Sequence, residues 1–261
     1  MKSPVIKKLL LAVLCTVTIT ANAQIVDSIK KDLLTAPDTV KKLHSKPWTL
    51  IPPTALILYG VLSFHVQPIR NLDYSINNDI ARFDPDFHSR AESYFQFAPV
   101  ALVYGLNLAG ISGKNTFIDR TALLALSGGI LGITATASKH FTHRLRPNNS
   151  DYLSFPSGHT STAFAGAEFM AQEYSGKSVW YSVAGYAIAT TTGVFRLYNH
   201  DHWFSDVVAG AGFGILSTKL AYLTYPYIRN ALTHKGKDGK AAILMPSYQD
   251  GTAGLSFTMQ L

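Results

Sequence analysis

Three short clusters in this chain hold the side chains needed to grip a tetrahedral oxyanion and break one of its bonds. Lys139 is followed by Arg146-Pro147, then comes Pro156-Ser157-Gly158-His159, and Arg196, His202 and Asp206 complete the set. Arginine's planar fork can take phosphate oxygens two at a time, and a lysine adds a point charge. A carboxylate that accepts the Nδ1 proton of an imidazole fixes its tautomer and leaves Nε2 free to attack. His202 and Asp206, four residues apart, can share a helical face and meet in that way. Ser157-Gly158-His159 at the start of a helix would offer free backbone N–H groups and the positive end of the helix dipole to an anion. Glycine there permits close approach, and His159 is placed to protonate a leaving oxygen. Each cluster alone has a plainer reading: a structural His-Asp pair, a turn with an N-terminal cap, and cations snorkelling at a membrane interface. Together they describe phosphoryl chemistry.

Each cluster also falls where an apolar helix is expected to begin or end. Lys139 lies just past a stretch ending near Ser138, His159 opens the next, Arg196 closes the one after, and His202 and Asp206 open the last. If successive helices run antiparallel, all of these positions share one end of a bundle. The apolar stretches cover about 94–111, 121–138, 159–174, 178–195 and 205–228, and several approach the roughly 20 residues that a bilayer core of about 30 Å requires. They are rich in Gly, Ala, Ser and Thr, as close helix packing in lipid tends to be. Before them, Ile69, Leu72, Ile76, Ile80 and Phe83 recur at the spacing of an amphipathic helix. The apolar segment 48–64 is interrupted by Pro52-Pro53 and is the weakest candidate span. The tail, 242–261, has two strand-like runs around Asp250-Gly251, a hairpin signal.

The expected fold is therefore an all-α, multi-span transmembrane helical bundle with a small C-terminal β-hairpin. Its parts are a signal peptide or membrane anchor at 1–23, an N-terminal region with an amphipathic helix at 24–93, a catalytic helical core at 94–230, and a tail at 231–261. The competing reading is a soluble bundle with an apolar core, which Glu168, Glu173 and a mean hydropathy of only +0.12 favour.

Composition favours the membrane reading. Hydrophobic residues make up 47% and charged residues 15%, against about 25% charged in an ordinary soluble domain. Lys2, Lys7 and Lys8, an apolar run and Ala21-Asn22-Ala23 have the anatomy of a secretory signal. The single cysteine, Cys15, lies within it, so cleavage would leave no disulfide, which is compatible with a bacterial envelope. The net charge of +7 is scattered along the chain and gives no basis for nucleic-acid binding. No protein partner and no cofactor are indicated. His140/His143 and His200/His202 lack an ordered ligand spacing, so no metal site is expected. His143 and His200 are instead candidates for the pocket mouth, and His44, His65, His88 and His234 read as surface residues. Arg120 and Lys177 read as snorkelling interfacial cations. With Lys114, Arg229, Lys235, Lys237 and Lys240 they lie at the ends opposite the clusters, which by the positive-inside rule puts the site outside the cytoplasm. Counting 48–64 as a span after a cleaved signal would reverse that, so 48–64 is not counted.

The three clusters resemble the type 2 phosphatidic acid phosphatase superfamily, which also includes class A acid phosphatases and vanadium haloperoxidases. Its Lys-x6-Arg-Pro motif matches Lys139, Arg146 and Pro147, and its Pro-Ser-Gly-His motif matches 156–159. Its Ser-Arg-x5-His-x3-Asp motif matches Arg196, His202 and Asp206, with Phe195 in place of the serine. The resemblance implies that His202 attacks phosphorus and is transiently phosphorylated, that Asp206 orients it, and that His159 protonates the leaving group. It implies further that Lys139, Arg146, Ser157, Gly158 and Arg196 hold the phosphoryl oxygens without a metal. Phe195 removes one hydroxyl donor from that cradle. The expected substrate is a lipid phosphate or prenyl diphosphate, met at a bacterial inner membrane with the site facing the periplasm. The alternatives are a soluble periplasmic acid phosphatase, a vanadate-dependent oxidoreductase, and a phospholipid-binding protein without activity.

Overall fold

The computed structural model describes residues 47–233, 242–249 and 252–259. The signal segment, His44, His234 and the lysines at 235, 237 and 240 lie outside them. A 3-10 turn, Pro47–Leu50, leads into α1 (Ile51–Leu62), followed by α2 (Gln67–Phe83), α3 (Glu92–Phe95), α4 (Ala98–Leu108), α5 (Phe117–Thr142), α6 (Gly158–Tyr174), α7 (Val179–Tyr198) and α8 (Phe204–Thr233). The backbone of Ala242–Gln249 and Thr252–Met259 runs as two antiparallel strands with Gln249 opposite Thr252, and no part of the site rests on that tail.

Helix α6 is the axis of the bundle, packed between α7 and α8. Its contact with α8 is backbone to backbone. A Cβ at Gly214 would sit 2.2 Å from the Ser161 carbonyl oxygen and 2.7 Å from the Ala165 nitrogen, and one at Gly210 would sit 2.9 Å from the Ser157 carbonyl oxygen. Glycines four apart thus cut a groove along α8 that receives the first turns of α6. The same groove lets the Ser157 N–H reach the Asp206 carbonyl at 3.1 Å, which ties the start of α6 to the start of α8. On another side of α8, Gly60 of α1 meets Ala209 and Ser205, and Gly212 meets Pro53.

Among the described residues, two helices are long and apolar enough to cross a membrane, Phe117–Thr142 and Phe204–Asn230. A third candidate is the pair Trp48–Leu62 and Gln67–Phe83, which meet at 87° as a broken span or re-entrant loop. Of the five apolar stretches, 121–138 and 205–228 fall in the two long helices. The stretch 94–111 divides at Phe97, and Ala98, with Pro99 in the first turn, starts a helix of only 11 residues. Residues 51–62 pack on α8, with their prolines in the first turn of α1, and the chain bends sharply only after Leu62.

Two expectations about charge are corrected. Arg120 does not snorkel: it is wholly buried and its Nε donates to Glu173 at 3.1 Å. Arg229 pairs with Asp119 at 2.8 Å, while Tyr222 donates to Glu173 and Tyr225 to Asp119. This buried ionic cluster joins the start of α5 to the ends of α6 and α8. Glu173 therefore does not argue for a soluble bundle, because its charge is matched inside. Glu168 is likewise paired, with Lys219 at 2.7 Å. Arg120 and Arg229 are neutralised by partners and drop out of the positive-inside count.

Candidate active site

The functional candidates gather at the end of the bundle formed by the C-terminus of α5, the N-termini of α6 and α8, and the C-terminus of α7. Lys139 lies within α5, not beyond it. The helix runs on to Thr142 and ends with His143 in the left-handed conformation, φ 42°. Its Nζ donates to the carbonyls of Leu153 and Pro156 at 2.5 and 2.8 Å, binding α5 to the loop that carries Ser157.

Arg146 leaves that loop and meets His202. Its Nε donates to Asp151 at 2.8 Å, and its Nη1 donates to the Asp201 carbonyl at 3.1 Å and faces His202 Nε2 at 3.2 Å. A guanidinium has donors only, so Nε2 must be the accepting, unprotonated nitrogen. The ring proton is then on Nδ1, which donates to the Ser154 carbonyl at 2.7 Å. Geometry alone thus sets the tautomer that a nucleophile needs, with the lone pair of Nε2 turned toward a cation.

Asp206 does not touch the imidazole in the way expected from sequence. Its Oδ2 is 4.0 Å from Nδ1, too far for a hydrogen bond. Helix α8 starts at Phe204, so His202 is in the preceding loop and helical i, i+4 spacing does not apply to the pair. Asp206 instead accepts from Ser154 Oγ at 2.5 Å, the Trp203 N–H at 3.0 Å and Arg144 Nη1 at 2.6 Å. It holds Ser154, and Ser154 holds His202. Sequence reading missed both Ser154 and Arg144. Each stands two residues from a motif position, but a serine in a turn and an arginine in a basic run carry no distinctive signal.

His159 lies in the first turn of α6, half-buried, with Nε2 3.4 Å from Ser93 Oγ. The space above Gly158 is open: a Cβ built there would meet nothing within 4 Å. Ser157, in contrast, is wholly buried. Its hydroxyl pairs with Thr160 at 2.9 Å and its N–H is spent on Asp206, so it fixes the turn rather than lining the opening.

Arg196 enters from the last turn of α7. Its Nη1 donates to Glu92 at 3.0 Å and lies 2.8 Å from Asp201. Arg196 Nε and Glu92 Oε2 are buried without a hydrogen-bond partner among the described residues. The short helix α3 therefore brings two unforeseen residues to the site, Glu92 and Ser93. Phe195 explains how. It stacks between Phe87 and Phe95 at 5.9 and 6.0 Å, clamping the 84–97 segment over the end of α7. Asn199 adds two hydrogen bonds to the backbone of Ser89. His200 turns away to Asn77 at 2.7 Å.

Burial, reinforced by the charges of Arg146, Arg196 and Lys139, pushes the His202 pKa well below the ordinary 6.5. Burial and the nearby Arg196 lower that of His159 to about 4, against a smaller opposing pull from Asp201. Both rings are neutral at pH 7. Among the described residues no group of three or more His, Cys, Asp or Glu is arranged to hold a metal ion.

Residues 120–230 match the family model described as the PAP2 superfamily. The chain is 35% identical over 190 residues to the lipid A 1-phosphatase of Porphyromonas gingivalis, covering 71% of this chain and 41% of that one. It is 38% identical over 93 residues to the probable lipid phosphate phosphatase 4 of Arabidopsis thaliana, covering 30% of each. The chain thus spans well under half the length of these curated relatives. A solved structure, the first transmembrane PAP2 type phosphatidylglycerolphosphate phosphatase from Bacillus subtilis, superposes with a TM-score of 0.48 at 20% identity, over 65% of this chain and 94% of that one.

Proposed function

Because the chain belongs to the PAP2 superfamily, we propose that it is a membrane-associated phosphatase that releases phosphate from a lipid phosphate or diphosphate by way of a phosphohistidine on His202. The observation that carries this reading is the meeting of Arg146 with His202 Nε2, which identifies the lone pair and the cation beside it.

Nε2 of His202 attacks phosphorus while the bond to the lipid oxygen breaks, and His159 delivers a proton to that oxygen. Arg146, Lys139 and Arg196, with the backbone N–H groups at Gly158 and His159, hold the non-bridging oxygens, so Arg146 exchanges Nε2 for phosphate as the substrate arrives. Water then attacks phosphorus, the N–P bond breaks, and His159 takes the water's proton. Asp206 acts through Ser154, keeping the Nδ1 proton in place. Ser157 contributes by fixing the turn. The hydroxyl absent at Phe195 is offset by that of Ser93, which stands beside His159.

A lipid substrate is supported by the surroundings of this end of the bundle. Phe83 and Phe141 are more than four-fifths exposed, and Tyr94 and Tyr152 are also exposed. They close α2, occupy α3, end α5 and precede Ser154, which is the placing of an aromatic belt at headgroup level. The relative in Porphyromonas gingivalis carries lipid A 1-phosphatase in its name, so lipid A 1-phosphate is the first substrate to test. A bacterial inner-membrane location with the site facing the periplasm is supported by Lys114 and Lys177 at the opposite end.

The test is phosphate release by the detergent-solubilised protein from lipid A 1-phosphate, phosphatidate, phosphatidylglycerophosphate, undecaprenyl diphosphate and p-nitrophenyl phosphate. Turnover of at least one lipid well above the soluble ester is expected. Activity on the soluble ester alone, in protein released from membranes without detergent, would point to the acid phosphatase reading.

The pH dependence follows from the imidazoles. His202 stays neutral far into the acid range, so acid does not disarm the nucleophile, whereas the general acid needs a proton that His159 holds in the free site only near pH 4. That proton arrives with a phosphate monoanion or is retained once the bound anion offsets the cations. kcat/KM is therefore expected to peak on the acid side and decline through neutrality, and the alkaline limb of kcat should lie at higher pH than that of kcat/KM. Coincident limbs would contradict this.

The glycines give a paired test. Gly158→Ala should leave the melting temperature unchanged and raise KM several-fold, because its methyl enters the open space. Gly214→Ala should cost about 1–3 kcal/mol or more of stability, because its methyl meets backbone.

A further inference from the structure

The elbow between α1 and α2 lies outside residues 120–230, yet it is bonded to the residues that hold His202. Asp73, in α2, is 1% exposed. Its Oδ1 accepts the Ser205 N–H at 2.8 Å, and its Oδ2 accepts Ser205 Oγ at 2.6 Å and Arg144 Nη2 at 2.7 Å. The other arm of the guanidinium, Nη1, donates to Asp206 at 2.6 Å, Ser205 Oγ at 2.8 Å and Ser63 Oγ at 3.1 Å. The rings of Phe64 and Trp203 lie 5.2 and 5.8 Å from the guanidinium carbon. One largely buried cation is thus shared by two fully buried carboxylates from different helices, within a cage of hydroxyls and aromatic rings.

We infer that Asp73 is a positioning residue for phosphoryl transfer, acting on His202 through Arg144, Asp206 and Ser154. The inference rests on the reading of His202 as nucleophile. Its physical content is a charge count. When His202 attacks, its ring keeps the Nδ1 proton and gains a bond to phosphorus, so it becomes cationic. Arg144 and Asp206 alone would cancel, leaving that cation facing a neutral pair. Asp73 adds one negative charge, so the cluster behind Ser154 carries a net counter-charge to the phosphoimidazolium. It acts in a buried setting where such charge is poorly screened. Its bonds to Ser205 also fix the first turn of α8, and hence Asp206, to the elbow. Asp73 touches neither substrate nor imidazole, so its effect belongs in kcat and not in KM.

The experiment uses the full chain in detergent with whichever substrate the panel identifies. Asp73→Asn should lower kcat roughly 10- to 100-fold with KM within about twofold of wild type. Asp73→Glu, which keeps the charge, should recover a large part of the loss. Formation of the phosphohistidine, read by quench in base, should slow in parallel with kcat. Asp119→Asn serves as the comparison, since Asp119 is equally buried and ion-paired at the far end of the bundle. It should lower the melting temperature and leave kcat per folded molecule unchanged. The inference is overturned if Asp73→Asn retains wild-type kcat per folded molecule, if its loss appears only in KM, or if Asp73→Glu is no better than Asp73→Asn. A wild-type enzyme that turns over without any phosphohistidine would overturn the nucleophile reading and this inference with it. An intact intermediate with an indifferent Asp73→Asn would overturn the inference alone.

Discussion

His202→Ala is expected to eliminate phosphate release from the lipid substrate, a loss on the order of 10⁴-fold or more, while the protein still folds and still binds phosphate. The size of the effect follows from how singular this imidazole is. Its Nε2 is unprotonated because Arg146 can only donate to it, and burial among three cations keeps the ring neutral. Among the described residues, nothing else near the cradle is an unprotonated nucleophile directed at the same point: His159 faces Ser93, and Asp206 is enclosed by Ser154, Trp203 and Arg144. The cations do not depend on the ring. Arg146 keeps Asp151 and the Asp201 carbonyl, and Arg196 keeps Glu92 and Asp201. Orthovanadate or phosphate should therefore still bind the variant, detected by calorimetry or protection from thermal unfolding. Residual turnover above about one part in a thousand would mean that another group performs the attack.

The second large effect is expected at His159, and it should depend on the leaving group. An alkoxide leaves from phosphorus only with a proton, whereas p-nitrophenolate leaves unaided. His159→Ala should reduce hydrolysis of the lipid phosphate by about 10²–10⁴-fold, the range expected when a general acid is removed. With p-nitrophenyl phosphate the first step should survive and the second should fail, because the same ring draws the proton from the attacking water. The prediction is a burst of p-nitrophenol equal to the enzyme present, followed by slow turnover and accumulated phosphohistidine. Equal losses on both substrates, without a burst, would remove His159 from the acid role.

The parts of the site that could be read from the chain were those whose chemistry is rare. Two imidazoles, three cations and a Pro-Ser-Gly-His turn at apolar helix boundaries are uncommon enough together that their gathering at one end of the bundle could be expected from helix order alone. What could not be read was the support behind them. Ser154, Arg144, Asp73 and Ser205 act through contacts between residues as far as 132 positions apart, and none of them has a spacing that announces it. The direct His202–Asp206 contact failed for a local reason: the helix starts at Phe204, which leaves His202 in the loop before it rather than on its first turn. Phe195 looked like a missing donor, but in space it is an aromatic clamp that delivers Glu92 and Ser93 from a segment with no motif of its own. Arg120 shows the same limit from the other side. An arginine at the edge of an apolar stretch reads as interfacial, and only the fold reveals Glu173 waiting inside.

The central claim is that phosphate passes through a covalent bond to Nε2 of His202. The most direct measurement is to quench the enzyme in base during turnover of a lipid phosphate, digest it, and locate the acid-labile phosphoryl group by mass spectrometry and ³¹P NMR. The account predicts phosphorylation at His202, on Nε2, absent from His202→Ala, and accumulating in His159→Ala when p-nitrophenyl phosphate replaces the lipid. A phosphoryl group on any other residue, or steady release of phosphate with none on the protein, would contradict it.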